Sequence, residues 1–121
     1  MTNKPKFHIL ANSQYAIDGL KYAIKSETSF KIEVVFFVVL QIAIIFFPIP
    51  IVHKMILSIT LFVPLIAELV NSAIERVVDM YTTDFHQLAK EAKDIGSSVV
   101  FVSIIMVVVI WLYILILNFN I

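Results

Sequence analysis

The stretch AELVNSAIERVVD, residues 67–79, sets Glu68, Asn71, Glu75 and Asp79 in and just beyond a long apolar run. On a helix advancing ~100° per residue, and measured from Glu68, Asn71 falls at about −60°, Glu75 at about −20° and Asp79 at about +20°. Ser72 falls near +40°, so the polar groups share one face over roughly 16 Å of axis. The opposite face, with Leu69, Val70, Ala73, Ile74, Val77 and Val78, is apolar. A carboxylate at membrane depth is expensive and belongs against protein or in a watered cleft. Starved of water, Glu68 is suited to take a proton near neutral pH. Glu75, nearer the surface, can stay ionised and bind a hard cation; magnesium usually takes one or two carboxylates plus phosphate oxygens. Intramembrane Glu and Asn can also lock helices together without chemistry. Four aligned groups leading to one membrane face favour a site.

The segment YTTDFHQLAKEAKDIGSS (81–98) carries Lys90, Lys93, Asp94 and Ser97 at offsets 0, 3, 4 and 7, again one helical face. Lys93 is placed as a charge partner for phosphate, with Asp94 as its orienter or behind a metal. The alternative is a solvated stretch with snorkelling lysines. His86 is a contact for a base or phosphate, or merely solvated. There is no GxxxxGK[ST] loop, no GxGxxG and no HRD or DFG set. With two glycines in all, no Gly-rich phosphate cradle is available. Without cysteine there is no disulfide, thiolate nucleophile or Cys-ligated metal.

These groups need elements to hold them, and the composition says which. Of 121 residues, 60% are hydrophobic and 15% charged, with mean hydropathy +0.97 and zero formal net charge. That is an integral membrane protein of one small domain with no bulk field for nucleic acid. Residues 34–52, 55–67 continuing into the polar stripe, and 99–117 each approach the ~20 residues a spanning helix needs. A cleavable signal peptide is not expected, because the first apolar run starts more than thirty residues in. Ahead of the spans, Phe7, Leu10, Ile17, Leu20 and Ile24 recur at helical spacing, flanked by Lys21 and Lys25, as in an amphipathic helix lying on the membrane surface. The expected boundaries are a surface helix over about 5–29 and spans over about 33–51, 55–78 and 96–117. Pro48 and Pro50 should end the first span and Pro64 should bend the second. Lys4, Lys6, Lys21, Lys25 and Lys31 before the first span, and Arg76, Lys90 and Lys93 between the second and third, put those segments in the cytoplasm. Trp111 and Tyr113 are then expected at the outer interface.

ELVNSAIERVVD (68–79) followed by AKDIGSS (92–98) resembles the signature of the prokaryotic integral-membrane diacylglycerol kinases, whose fold also serves undecaprenol kinases. The resemblance covers nearly the whole chain, including Glu27 in SETSFKIE. It implies an all-α homotrimer in the bacterial inner membrane, each protomer a surface helix plus three spans, with the active site cytosolic. It implies transfer of the ATP γ-phosphoryl, with magnesium, to a membrane-lipid hydroxyl. Glu68 matches the catalytic base, with Asn71 beside it and Asp79 as support. Glu27 and Glu75 match the metal-linked nucleotide ligands. Tyr15, Asp84, Phe85, His86, Lys93 and Asp94 match ATP contacts, and His8 stands where relatives often carry Arg. Ser29, Phe30, Lys31, Ile32, Glu33 and Ser97 match lipid contacts. Asp18 departs from a usual basic residue. Ile32 resembles the undecaprenol branch, whereas Glu33 and NSAIE resemble the diacylglycerol branch.

Three rivals follow. An undecaprenol kinase would keep the mechanism. A proton or ion relay would use Glu68, Glu75 and Asp79, but the outer halves of the spans add little beyond Gln41, Ser58 and Thr60. A non-catalytic assembly subunit would use the polar face only as glue. The reading carried forward is a diacylglycerol kinase.

Overall fold

The computed structural model describes residues 8–120, so the expectations for Lys4, Lys6, Phe7 and a helix start near residue 5 lie outside the described residues. All described elements are helices: α1 Ile9–Ser26, α2 Thr28–Phe46, α3 Ile51–Thr60, α4 Phe62–Tyr81 and α5 Gln87–Phe119.

The first boundary differs from expectation. Glu27, extended at φ −108° and ψ 106°, is the joint between α1 and α2, so α1 stops at Ser26 and the first apolar helix begins at Thr28 rather than near 33. No Gly or Pro breaks the chain there. The polar SETS stretch does, because Ser and Thr side chains compete with helical backbone bonding. Pro48 and Pro50 end α2 as anticipated, with Phe47 extended at ψ 132° ahead of Pro48. Three helical rods are long and apolar enough to cross a bilayer: 28–46, 51–81 and 87–119. The last two have 31 and 33 residues, about 46–50 Å of helix against a hydrocarbon core of about 30 Å. Their polar ends therefore project beyond it, and these ends carry the stripe.

The second rod is interrupted at Leu61, between α3 and α4. Pro64 explains it, since proline has no N–H for the Thr60 carbonyl four residues back and its ring crowds that oxygen. Leu61 N–H turns instead to Ser58 O at 3.3 Å. The core at the far end gathers Ile44, Ile49, Leu57, Leu61 and Ile114, with Leu57 wholly buried.

The polar groups of the outer halves bond to one another. Ser58 Oγ donates to Gln41 Oε1 at 2.6 Å, and Gln41 Nε2 donates back to Ser58 O at 3.1 Å. Trp111 Nε1 donates to Thr60 Oγ1 at 3.0 Å and its ring meets Phe47 edge-on. Trp111 is thus turned toward the core at the level of Phe47, where the Thr60 hydroxyl satisfies its N–H. Tyr113 remains exposed. Trp111→Phe should cost about 0.6 kcal/mol, and at most about 1.7, the range for interhelical hydrogen bonds in membrane proteins. Reversible unfolding in bicelles measures it.

Along α1, only Ala23 is buried. Leu10, Ile17, Leu20 and Ile24 stay exposed, so the protomer leaves that apolar face bare.

Candidate functional site

At the end where the long helices project, α4, α5 and the α1–α2 joint enclose a cleft of about 300 Å³ lined by Glu27, Ser29, Glu68, Asn71, Glu75, Ser97 and Val100. Six of these seven are residues singled out from the sequence. Glu68, Asn71 and Ser72 are buried, at 6%, 7% and 5% exposure. α5 and the start of α2 cover Glu68 and Asn71 within one chain.

Asn71 is held from one side only. Its Nδ2 donates to Glu75 Oε1 at 3.3 Å, one helical turn along, which shares the carboxylate's charge. Its Oδ1 is buried without a partner. A buried acceptor left unmade costs about 1–3 kcal/mol, so the site holds an unmet demand for a donor. Gly96 makes the tight crossing possible, since a β-carbon at position 96 would stand 2.5 Å from Asn71 Oδ1. Gly96 escaped the sequence reading, which used its two glycines only to exclude a phosphate loop; a lone Gly in the polar lead-in to an apolar helix was the signal.

A second cleft, about 370 Å³, adjoins on the polar side and is lined by Val78, Thr82, Thr83, Asp84, Phe85, His86, Ala89, Lys90, Lys93 and Asp94. Here one pairing is corrected. Lys93 Nζ meets Asp79 Oδ1 at 2.6 Å, joining α5 to α4, while Asp94 Oδ2 meets Lys90 Nζ at 2.6 Å. Adjacent residues diverge around a helix and residues four apart converge, so Asp94 orients Lys90 and Asp79 orients Lys93. His86 caps α5, accepting from Leu88 N–H at Nδ1 at 3.2 Å, and its ring stands edge-on to Tyr81.

The remaining candidates are dispersed. Glu33 lines an apolar groove of about 280 Å³ with Phe36, Phe37, Leu40, Leu61, Pro64, Leu65, Ile104, Val107 and Val108, and its Oε2 is buried without a partner. Lys31 and Ile32 are exposed. Phe30, expected to touch lipid, is only 2% exposed and packs inside the protomer. His8, just ahead of α1, and Tyr15 on it are exposed and line neither cleft.

Among the described residues no three His, Asp or Glu side chains converge as a ready metal cage. Glu27 and Glu75 in one cleft still fit magnesium, which brings phosphate oxygens and water to complete its shell.

The fold and cleft thus define a multi-pass, all-helical membrane protein with an acidic pocket where its apolar helices emerge. A family model described as "Prokaryotic diacylglycerol kinase" matches residues 14–115. Over 105 residues the chain is 38% identical to the diacylglycerol kinase of Haemophilus influenzae, covering 86% of this chain and 88% of the relative. It is 36% identical over 107 residues to that of Helicobacter pylori strain J99, covering 88% and 84%. It is 31% identical over 103 residues to that of Escherichia coli K12, covering 85% and 84%. The chain belongs to the prokaryotic diacylglycerol kinase family.

Proposed function

We propose that the protein transfers the γ-phosphoryl group of ATP to the hydroxyl of diacylglycerol, giving phosphatidic acid and ADP. The observation that carries this reading is the single cleft holding a buried Glu68 beside Glu27 and Glu75, at the level where the spanning helices turn polar. The lipid's acyl chains stay in the bilayer, and its hydroxyl reaches Glu68 from the apolar side. Glu68 takes the hydroxyl proton as that oxygen bonds to the γ-phosphorus. The bond from the γ-phosphorus to the bridging oxygen breaks, and ADP leaves with the electron pair. The unpartnered Asn71 Oδ1 accepts from a water beside the hydroxyl. Magnesium, held by Glu27 and Glu75, would neutralise charge on the phosphates. Phosphoryl transfer asks for little beyond such positioning and neutralisation.

The nucleotide's outer parts lie in the adjoining cleft, toward Asp84, Phe85, His86, Lys93 and Asp94. Lys93, fixed by Asp79, presents its charge there. Ser29, Glu33 and Ser97 face the lipid. The apolar face of α1 rests on the cytosolic surface of the inner membrane, where its exposed Leu and Ile side chains are buried in lipid. His8 and Tyr15 line neither cleft in one protomer, and in a homotrimer they reach nucleotide held by a neighbouring protomer.

The test is transfer of labelled γ-phosphate from MgATP by purified protein in mixed micelles, with diacylglycerol and undecaprenol side by side. Preferential labelling of diacylglycerol is expected. Preferential labelling of undecaprenol would move the protein to the other branch of its fold, and no transfer to either would overturn the kinase reading. Glu75→Gln should raise the magnesium concentration for half-maximal rate by roughly tenfold or more, since it removes one of two anionic ligands. A magnesium titration of the rate measures it.

A further inference from the structure

Arg76 follows Glu75 in sequence but points to the other side of α4, and no role in phosphoryl transfer has yet fallen to it. Its Nη2 donates to Ser26 Oγ at 2.6 Å and stands 3.8 Å from Glu27 Oε1. The Ser26 hydroxyl in turn donates to Tyr22 O in the last turn of α1. Each group keeps its proper sense: the guanidinium donates, and the hydroxyl accepts one bond and gives one. The chain of contacts ends on a carbonyl at the C-terminus of α1, where a cation is favoured.

We infer that Arg76 is a positioning residue that fastens the α1–α2 joint to α4 and so holds Glu27 over the cleft, opposite Glu75. Three observations carry this. Glu27 sits on the only non-helical residue between two helices, with backbone that nothing in its own side chain caps. A cleft of about 510 Å³ lies between α1 and α4, lined by Ala16, Gly19, Leu20, Ala23, Leu69 and Ala73 among others, with Arg76 on its rim. Apolar packing therefore does not close α1 onto α4 there, and the polar tie carries the junction. Finally, Glu27 comes from the α1–α2 joint and Glu75 from α4, so their relative placement depends on that tie.

Two opposing effects decide the sign. Removing a cation from beside Glu27 would by charge alone favour a metal ion. The 3.8 Å pair is long and its guanidinium is 55% exposed, so this effect is weak. The short, charge-assisted bond to Ser26 is stronger. Losing it frees Glu27, and metal binding should weaken.

This inference rests on the proposed assignment of Glu27 and Glu75 to the metal. The test uses manganese as the probe, followed by electron paramagnetic resonance of the intact protein with a non-hydrolysable ATP analogue. Arg76→Ala should raise the manganese dissociation constant about three- to tenfold. Ser26→Ala should do the same, and the double variant should be no worse than either single one. Arg76→Lys, which keeps the cation but not the reach and planar donor geometry of the guanidinium, should restore only part. In turnover the magnesium requirement should rise more than kcat falls. Unchanged or tighter manganese binding in Arg76→Ala, or additive losses in the double variant, would overturn the inference. If wild-type protein transfers phosphate to lipid but the variants bind manganese normally, the kinase reading stands and only the role of Arg76 falls. Wild-type protein that binds no manganese would overturn both.

Discussion

Glu68→Gln is expected to lower kcat for phosphoryl transfer by about 10²- to 10⁴-fold, the usual contribution of a positioned general base. The replacement keeps shape and hydrogen-bonding capacity while removing the ability to take a proton. Glu68 is 6% exposed and its side chain lines the cleft, so the change is confined to the cleft. An amide is cheaper to bury than a carboxylate, so the unfolding midpoint should hold or rise slightly. The ATP KM should also hold, because Glu27, Glu75 and Lys93 are untouched. Initial rates in mixed micelles, with thermal unfolding alongside, measure both halves. A variant keeping more than a tenth of wild-type kcat would return Glu68 to the role of packing glue. That outcome is what an assembly subunit requires, since glutamine bonds between helices as well as glutamate does.

The stripe was legible in the sequence because a helix converts spacing into direction without reference to anything else. Glu68, Asn71 and Glu75 lie in one cleft as the 100° wheel requires, with Ser97 arriving from α5. The bend at Pro64 was legible for the same local reason. What stayed hidden depends on contacts between elements. Lys93 could not be assigned to Asp79 from sequence, because the pair spans α4 and α5, whereas Asp94 was its nearest carboxylate along the chain. The bond from Trp111 to Thr60, 51 residues earlier, was hidden for the same reason. The shielding of Glu68 by α5 likewise depends on how closely two backbones approach, and residue types alone do not give that distance. The joint at Glu27 is the intermediate case: polar residues marked a weak helix, but its exact place is fixed by tertiary contacts.

Gly96 sets that approach, and Gly96→Ala should separate activity from stability. In a helix interior alanine is favoured over glycine by about 1 kcal/mol, which taken alone would stabilise α5. The added β-carbon would lie 2.5 Å from Asn71 Oδ1, and 3.5 Å from Ile74 Cδ1 and Cγ2. The contacts with Ile74 are ordinary. The contact with Asn71 is too short to persist, and its far end is a side-chain oxygen that can swing away. Relief therefore comes from rotation of Asn71 more than from parting of the helices, and the 3.3 Å bond to Glu75 goes with it. Stability should change by less than about 1 kcal/mol, the helical gain offsetting the lost bond. Activity should fall about ten- to a hundredfold, because displacement of order 1 Å at a reacting centre is enough to do so. The measurement is kcat and the unfolding midpoint for Gly96→Ala, Asn71→Ala and the two combined. If Gly96 acts through Asn71, adding Gly96→Ala to Asn71→Ala lowers kcat no further. Additive losses would mean instead that the crossing of α4 and α5 shapes the cleft directly, through Glu68 and Ser97.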